Sequence, residues 1–386
     1  MVGRVRSVEA FGVEVPVTRT FVFASGNAGA AGSTVSVPFI KVTDTEGNVG
    51  WGEGRPSPSW NYETADSILT TVRHFLAPEI LGMPASNRSG LHARMRAVIG
   101  LGPSTGMPVA KATLDVALHD LAARAAGLTL RAYLGGDDAD NEVELSWTVT
   151  AHDPAEARDD VAAAREAGFR HANFKVAVEP RADVEVAAAI RQAAGPDAFV
   201  WADANQGLAL HEARLLAERL RAVGTDVLEQ PLRADLSHQM GVLRQTTLLP
   251  LAADESTVSP ADFLRLAAVG AVDYLVVKVT RSGGLWPTMQ QIAVAEAAGL
   301  PLLVSGLTDC MITKMAACSA AAAVGFHGPA AMNGSQFLDD SAIFPDKAAV
   351  EFKGLVRLSN EPGLGIVPDE AAVRRSASTH FLVEAE

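Results

Sequence analysis

The stretch Phe199-Val200-Trp201-Ala202-Asp203-Ala204-Asn205 is a short apolar run that ends on a carboxylate and leads into a helical pattern. The same grammar recurs on both sides of it. Residues 172–176 carry Lys175, Val227-Leu228 precede Glu229, residues 249–253 precede Asp254, and residues 274–277 precede Lys278. Further candidate strands at 142–149, 302–304 and 330–332 complete a series that repeats every ~25 to 30 residues, as barrel units do. Asp153-Pro154 and Ser259-Pro260 open helices, and Gly168, Gly195, Gly224, Gly270, Gly299 and Gly325 close them. Strands that alternate with helices, without a Gly-rich dinucleotide fingerprint after the first strand, predict α/β architecture with a parallel barrel of TIM type rather than an open doubly wound sheet.

Upstream the pattern differs. Apolar alternation at 5–15 and 34–43, with a turn at Glu46-Gly47-Asn48, predicts antiparallel sheet. Between these strands, residues 24–33 are all Gly, Ala, Ser and Asn, and a mobile loop is expected there. Helical patterns follow at 63–76 and 107–125, the second with Leu114, Leu118 and Leu121 spaced around Asp115, His119 and Asp120. The tail from 352 to 368 returns to strand and turn signals, with 362–365 as a loop, and is expected to pack back on the N-terminal sheet. The predicted organisation is an N-terminal α+β domain at 1–130, a barrel at 131–350, and a C-terminal segment at 351–386 that packs back on the N-terminal domain.

Composition narrows the function. A chain of 386 residues exceeds one ordinary core, and 48% hydrophobic against 20% charged residues excludes extensive disorder. The net charge of -13 opposes nucleic acid and anionic membranes as partners and favours a small molecule or a metal. Only Cys310 and Cys318 are present, both at or within a predicted helix, so no disulfide framework is expected. Without an export signal or a long uncharged apolar run, the expected location is the cytoplasm, and a homo-oligomer is the expected assembly.

In a barrel the C-terminal ends of the strands form the active face. Asp203, Glu229 and Asp254 are predicted to converge there. Three such carboxylates repel one another unless a cation neutralises them, and an all-oxygen set selects Mg²⁺ or Mn²⁺ over zinc. A helix cap or loop ion pair is the structural alternative for any one of them. Lys175 and Lys278 fall on the second and sixth predicted strands, among apolar neighbours. Such surroundings are expected to draw a lysine pKa toward neutrality, where the amine works as a general base on either face of one carbon. Asn173 should point where Lys175 points, and Asn205 where Asp203 points, as residues two apart on a strand do. Glu255 is expected to face elsewhere, toward Lys278 or the next helix start.

These residues resemble the enolase superfamily, and within it the muconate-lactonizing-enzyme branch of the mandelate racemase and muconate-lactonizing family. The resemblance covers nearly the whole chain. It rests on Asn48-Val49-Gly50-Trp51-Gly52-Glu53, Ala117-Leu118-His119-Asp120-Leu121, Trp201-Ala202-Asp203-Ala204-Asn205, Glu229-Gln230-Pro231, Ala253-Asp254-Glu255-Ser256, and Lys278 ahead of Ser282-Gly283-Gly284. It implies a modified TIM (β/α)7β-type barrel with an N-terminal α+β capping domain completed by the C-terminal tail, Mg²⁺ on Asp203, Glu229 and Asp254, and acid/base roles for Lys175 and Lys278. The chemistry it implies is removal of the proton α to a carboxylate to give an enolate. It also places residues 24–33 and 55–62 over the barrel mouth, with Trp60 and Tyr62 as candidate substrate contacts and Ser305, Thr308, Asp309 and Asn333 as further ones. Two positions depart from the pattern: Asn173 stands where the branch has another lysine, and Ala331-Met332-Asn333 replaces the Asp-x-Asp with which similar dipeptide epimerases hold an ammonium group.

The expected activity is therefore a Mg²⁺-dependent racemase or epimerase acting on a carboxylate, such as an amino-acid derivative. The alternatives are β-elimination (a dehydratase) or cycloisomerisation on the same site, and a non-catalytic binding protein on a degenerate barrel.

Overall fold

The computed structural model describes residues 2–24, 26–102, 105–137 and 141–385. Its N-terminal part is built from β1 (Val5–Pro16), β2 (Phe21–Phe23), β3 (Gly26–Gly29), β4 (Thr34–Asp44) and β5 (Val49–Glu53). β6 (Glu142–Glu144) precedes the parallel series β7 (Ser146–Val149), β8 (His171–Lys175), β9 (Val200–Asp203), β10 (Val227–Glu229), β11 (Leu251–Ala253), β12 (Tyr274–Val277) and β13 (Leu302–Val304). The tail adds β14 (Glu351–Phe352), β15 (Leu355–Arg357) and β16 (Ala377–Glu384).

The parallel strands form one seven-stranded sheet in sequence order, β7 through β13. Side chains alternate between its two faces. Trp201, Val227, Ala252, Val276, Leu303 and Ala331 pack together as one buried cluster, while Val200, Ala202, Leu228, Leu251, Ala253 and Val277 belong to the main core. The eighth predicted strand, 330–332, is reduced to isolated bridges from Ala330 to Leu145 and from Ala331 to Ser305. Helix starts are capped as predicted. Asp153 accepts the N–H groups of Ala155 and Glu156, and Ser259 forms a capping box with Asp262.

The N-terminal sheet has the order β16-β1-β4-β5, so β16 supplies an edge strand paired antiparallel with β1, whereas the strands of the segment 352–368 expected there form a separate sheet, β14 pairing with β15 and β15 with β6. Its packing partner is the helix Pro108–Ala126, buried almost throughout because it is pressed against β5 on one side and the helix Leu285–Ala297 on another. Close approach requires glycine: a Cβ on Gly52 would overlap the Thr113 carbonyl. Polar posts complete the joint. Asp120 accepts the N–H groups of Trp51 at 3.0 Å and Leu364 at 2.8 Å, and Asp115 accepts that of Leu285 at 2.5 Å. Gly284 has φ +112, and a Cβ there would overlap the Asp115 carboxylate, which accounts for glycine beside that helix start.

Two N-terminal expectations change. The helix expected at 63–76 starts at Ala65, and Val72–Leu76 is a π-helical turn. Within 24–33, Gly26–Gly29 forms β3 and pairs with β2, because Phe21 and Phe23 are buried anchors and Phe21 stacks on Phe337 at 4.6 Å. Ser25 lies outside the described residues.

Glu63 links this part to pH. It is fully buried, and its oxygens accept the N–H groups of Val109 and Ala110 at 2.7 and 3.0 Å. Burial outweighs those bonds and raises its pKa from 4.5 to about 7. A carboxyl that holds its proton more tightly when folded favours the fold at low pH and loses that advantage as pH rises from 4.5 to about 7. Across that window wild-type stability is expected to fall relative to Glu63→Gln by up to roughly 3 kcal/mol. Calorimetric melting of both proteins checks this, and parallel pH profiles would contradict it.

Candidate active site

The register of the parallel sheet aligns the site. Lys175 lies beside Asp203, and Asp203 beside Glu229, on neighbouring strands β8, β9 and β10, while Asp254 and Lys278 directly follow β11 and β12. The carboxylate strands β9, β10 and β11 therefore stand between the two lysine strands. Asp203, Glu229 and Asp254 are all buried, and one oxygen from each lies within 4.8 Å of the others. Glu229 Oε1 is buried without a hydrogen-bond partner among the described residues. An all-oxygen set with an unmatched anionic acceptor fits a hard divalent cation, so the residues present suit a divalent-metal site.

The charges around this set are ordered. Lys175 Nζ donates to Asp203 Oδ2 and Lys278 Nζ to Asp254 Oδ2, both at 2.5 Å. Arg281 donates to the other Asp254 oxygen and, at 2.6 Å, to the Val276 carbonyl. The Gln230 side-chain oxygen accepts the N–H groups of Asp254 and Ser256, which fixes the loop that carries both. Burial, then the charges of Asp203 and Asp254, push the Glu229 carboxyl well above its ordinary range. Burial also opposes charge on Asp254, but Lys278 and Arg281 together outweigh it and hold that carboxyl low. The expectation of a lowered lysine pKa is overturned at Lys278. Burial does lower it, but Asp254, Glu229 and Glu255 more than compensate, and the net shift is upward. Apolar sequence neighbours are legible in a string of letters, whereas carboxylates arriving from other strands are not.

Each amine faces an aromatic ring from the N-terminal domain: Lys175 lies 5.4 Å from the Phe21 centroid, and Lys278 lies 4.6 Å from that of Trp60. Together with Phe23, Asn205, Leu307 and Thr308 they line a chamber of about 40 Å³. Arg55 braces it, donating to Thr308 Oγ1 at 3.1 Å and to the Ala28 carbonyl at 2.5 Å.

The remaining predicted residues divide. Trp60 belongs to the chamber. Tyr62, 53% exposed, lines an outer cavity of about 530 Å³ instead. Asn205 lies beyond the end of β9, yet its side chain still reaches Glu255 at 3.1 Å. Glu255 acts on Lys278 by its charge, as expected, and its Oε1 also accepts from both Asn205 and Trp60. Asn173 accepts from the Ser146 and Thr148 hydroxyls and so ties β8 to β7, while Asn333 donates to Thr148 and ties the segment after 330–332 to β7. Asp309 accepts from Thr280 and from the Leu307 N–H, holding its own loop, and the Ser305 N–H bonds the Val277 carbonyl. Arg281 and Phe21 escaped the sequence reading. Arg281 stands three residues after Lys278, one helical turn on, and that spacing is the only signal it leaves.

Residues 8–135 match the family model described as mandelate racemase / muconate lactonizing enzyme, N-terminal domain, and residues 156–372 match that described as enolase C-terminal domain-like. The chain is 33% identical over 349 residues to chloromuconate cycloisomerase CbnB of Cupriavidus necator, covering 88% of this chain and 90% of the relative. It is 26% identical over 374 residues to an N-succinyl-L-Arg/Lys racemase of Bacillus cereus, covering 95% and 96%. The crystal structure of that racemase superposes with a TM-score of 0.90 over 99% of this chain and all of the other. A dipeptide epimerase from Enterococcus faecalis, solved with Mg and the dipeptide L-Leu-L-Tyr, is 26% identical and superposes with a TM-score of 0.85 over 94% of this chain and 99% of that one. These relatives are racemases, epimerases and cycloisomerases, all of them isomerases. The chain belongs to the mandelate racemase / muconate lactonizing enzyme family of the enolase superfamily.

Proposed function

We propose that this enzyme is a Mg²⁺-dependent racemase or epimerase that exchanges the proton α to a carboxylate on an amino-acid derivative. The observation that carries the reading is the placement of Lys175 and Lys278 on one chamber, from opposite sides of the three carboxylate strands. An acid bound between them presents one face of its α carbon to each amine. One lysine takes the α proton as the free amine, a state that at Lys278 requires a bound cation to offset Asp254 and Glu229, which otherwise raise its proton affinity; the other, as the ammonium, delivers a proton to the opposite face, and the configuration inverts. Asp203, Glu229 and Asp254 would hold the cation, which when bound draws charge from the substrate carboxylate and stabilises the enolate. Gln230 and Arg281 keep Asp254 in place, while Phe21 and Trp60 exclude water from the amines. Manganese suits the same oxygen set. A dipeptide is disfavoured, because no Asp-x-Asp stands at 331–333 and Asn333, whose Nδ2 donates to Thr148, offers an ammonium group only a neutral amide oxygen in place of two carboxylates. The cytoplasmic location we assign is supported by the free, buried Cys310 and Cys318; no helix among the described residues is long and apolar enough to cross a membrane.

Cycloisomerisation is the second reading, favoured by the higher identity to the chloromuconate enzyme. It uses the same enolate but needs only one of the two amines for proton transfer, and elimination of a β group is its close variant. The deciding experiment incubates the protein and Mg²⁺ in deuterated buffer with a library of carboxylic acids and examines each recovered acid. Deuterium at the α carbon with loss of optical purity is expected. Ring closure or loss of water without exchange would favour the second reading, and no reaction with any acid would leave only a binding protein.

A further inference from the structure

The helix Pro58–Asn61 is a single turn, begins at Ser57 without a side-chain cap, and ends on Tyr62 in the left-handed conformation at φ 62. One turn of helix does not hold itself, so its position depends on tertiary ties. Trp60 on this turn is the wall between two spaces: it lines both the 40 Å³ chamber of the lysines and the 530 Å³ outer cavity. One face of its ring lies over Lys278 Nζ, while its indole N–H reaches across to the barrel and donates to Glu255 Oε1 at 2.9 Å. Glu255 is itself held. The same oxygen accepts from Asn205 Nδ2 at 3.1 Å, and the Asn205 backbone N–H donates to Asp203 Oδ1 at 2.9 Å. The residue is 9% exposed and its second carboxylate oxygen is buried, so this is an interior tie rather than a surface contact.

We propose that Glu255 is a positioning residue for Lys278: through the Trp60 indole it fixes the chamber wall over that amine and so governs proton transfer on the Lys278 face, leaving the Lys175 face largely untouched. The inference rests on the two-lysine reading for its kinetic consequence, although the tie itself does not. Without the carboxylate oxygen the indole N–H loses its barrel partner, the turn at 58–61 keeps its packing and the Ser59 hydroxyl bond to the Asn27 carbonyl within the N-terminal domain but not this tie to the barrel, and the chamber opens toward the outer cavity. Lys175 has its own aromatic cover in Phe21, on β2 rather than on the turn that carries Trp60, and no bond from Glu255 reaches it.

The test measures α-deuterium exchange from each enantiomer separately, and acrylamide quenching of tryptophan fluorescence, in wild type, Glu255→Leu, Glu255→Gln, Trp60→Phe and the Glu255→Leu/Trp60→Phe double variant. The Lys278-dependent enantiomer is identified beforehand as the one whose exchange Lys278→Ala removes. Glu255→Leu is expected to slow exchange from that enantiomer by roughly ten- to a hundredfold, the cost of misplacing a reacting group by about 1 Å, and to make Trp60 accessible to quencher. Glu255→Gln, whose amide oxygen accepts both bonds, restores the quenching profile and most of the exchange. In the Trp60→Phe background, where no indole N–H remains, Glu255→Leu should add little. Equal slowing from both enantiomers, or an undiminished effect of Glu255→Leu in that background, would overturn the proposal by showing that Glu255 acts through the neighbouring carboxylates. If wild type exchanges neither enantiomer, the two-lysine reading fails and the face selectivity with it, while the quenching comparison still decides whether Glu255 holds Trp60.

Discussion

Lys278→Ala is expected to lower racemisation by roughly 10³- to 10⁴-fold, the upper range for loss of a positioned acid or base. Lys175→Ala should do the same. The two variants differ in what survives. With Lys278 gone, Lys175 still reaches one face of the α carbon, so exchange into solvent deuterium persists from one enantiomer only; Lys175→Ala leaves the opposite enantiomer. Mirror-image residual exchange follows from the sheet order, in which three carboxylate strands separate the two amines. Both lysines also pair with carboxylates of the metal set at 2.5 Å. Their removal leaves Asp203 or Asp254 short of a cation, so each variant's Mg²⁺ affinity should be measured alongside its rate. Racemisation at the wild-type rate in either variant, or loss of the same enantiomer in both, would end the two-base scheme.

Metal removal is the second large effect. Chelation should abolish exchange, and Mg²⁺ should restore it, because an α proton beside a carboxylate is too weakly acidic for an amine without electrostatic help worth several kcal/mol. A readout independent of turnover comes from stability. A ligand that binds only the folded protein adds about 2.7 kcal/mol at a hundred times its Kd, so Mg²⁺ should raise the melting temperature of wild type. Glu229→Gln should lose both responses, since Glu229 contributes an oxygen to the set and has Oε1 buried without a protein partner. Neutralising it also relieves its repulsion with Asp203 and Asp254, so the metal-free variant should melt no lower than metal-free wild type. Retained Mg²⁺ stabilisation in Glu229→Gln would place the cation elsewhere.

Several motif residues that read as signatures in the chain prove to serve assembly. The Gly50-Trp51-Gly52 run and Asp120 join β5 to the helix Pro108–Ala126, and Gly284 admits Asp115 to the helix start at Leu285. Their role is to fix the N-terminal domain against the barrel, which is what delivers Phe21 and Trp60 to the two amines.

The string of residues by itself determined the barrel and its five strand-end groups, Lys175, Asp203, Glu229, Asp254 and Lys278. An apolar run closed by a charged residue and followed by a helical period is local information, and repetition of that unit implies convergence. Only the tertiary structure decided which way Glu255 turns, that Arg281 holds Asp254, that Phe21 and Trp60 cover the amines while Tyr62 does not, and that the proton affinity of Lys278 is raised. Each of these depends on distances of a few ångströms between segments far apart in the chain. Hydrogen bonds, desolvation and charge interactions vary steeply over such distances, and sequence separation carries no record of them.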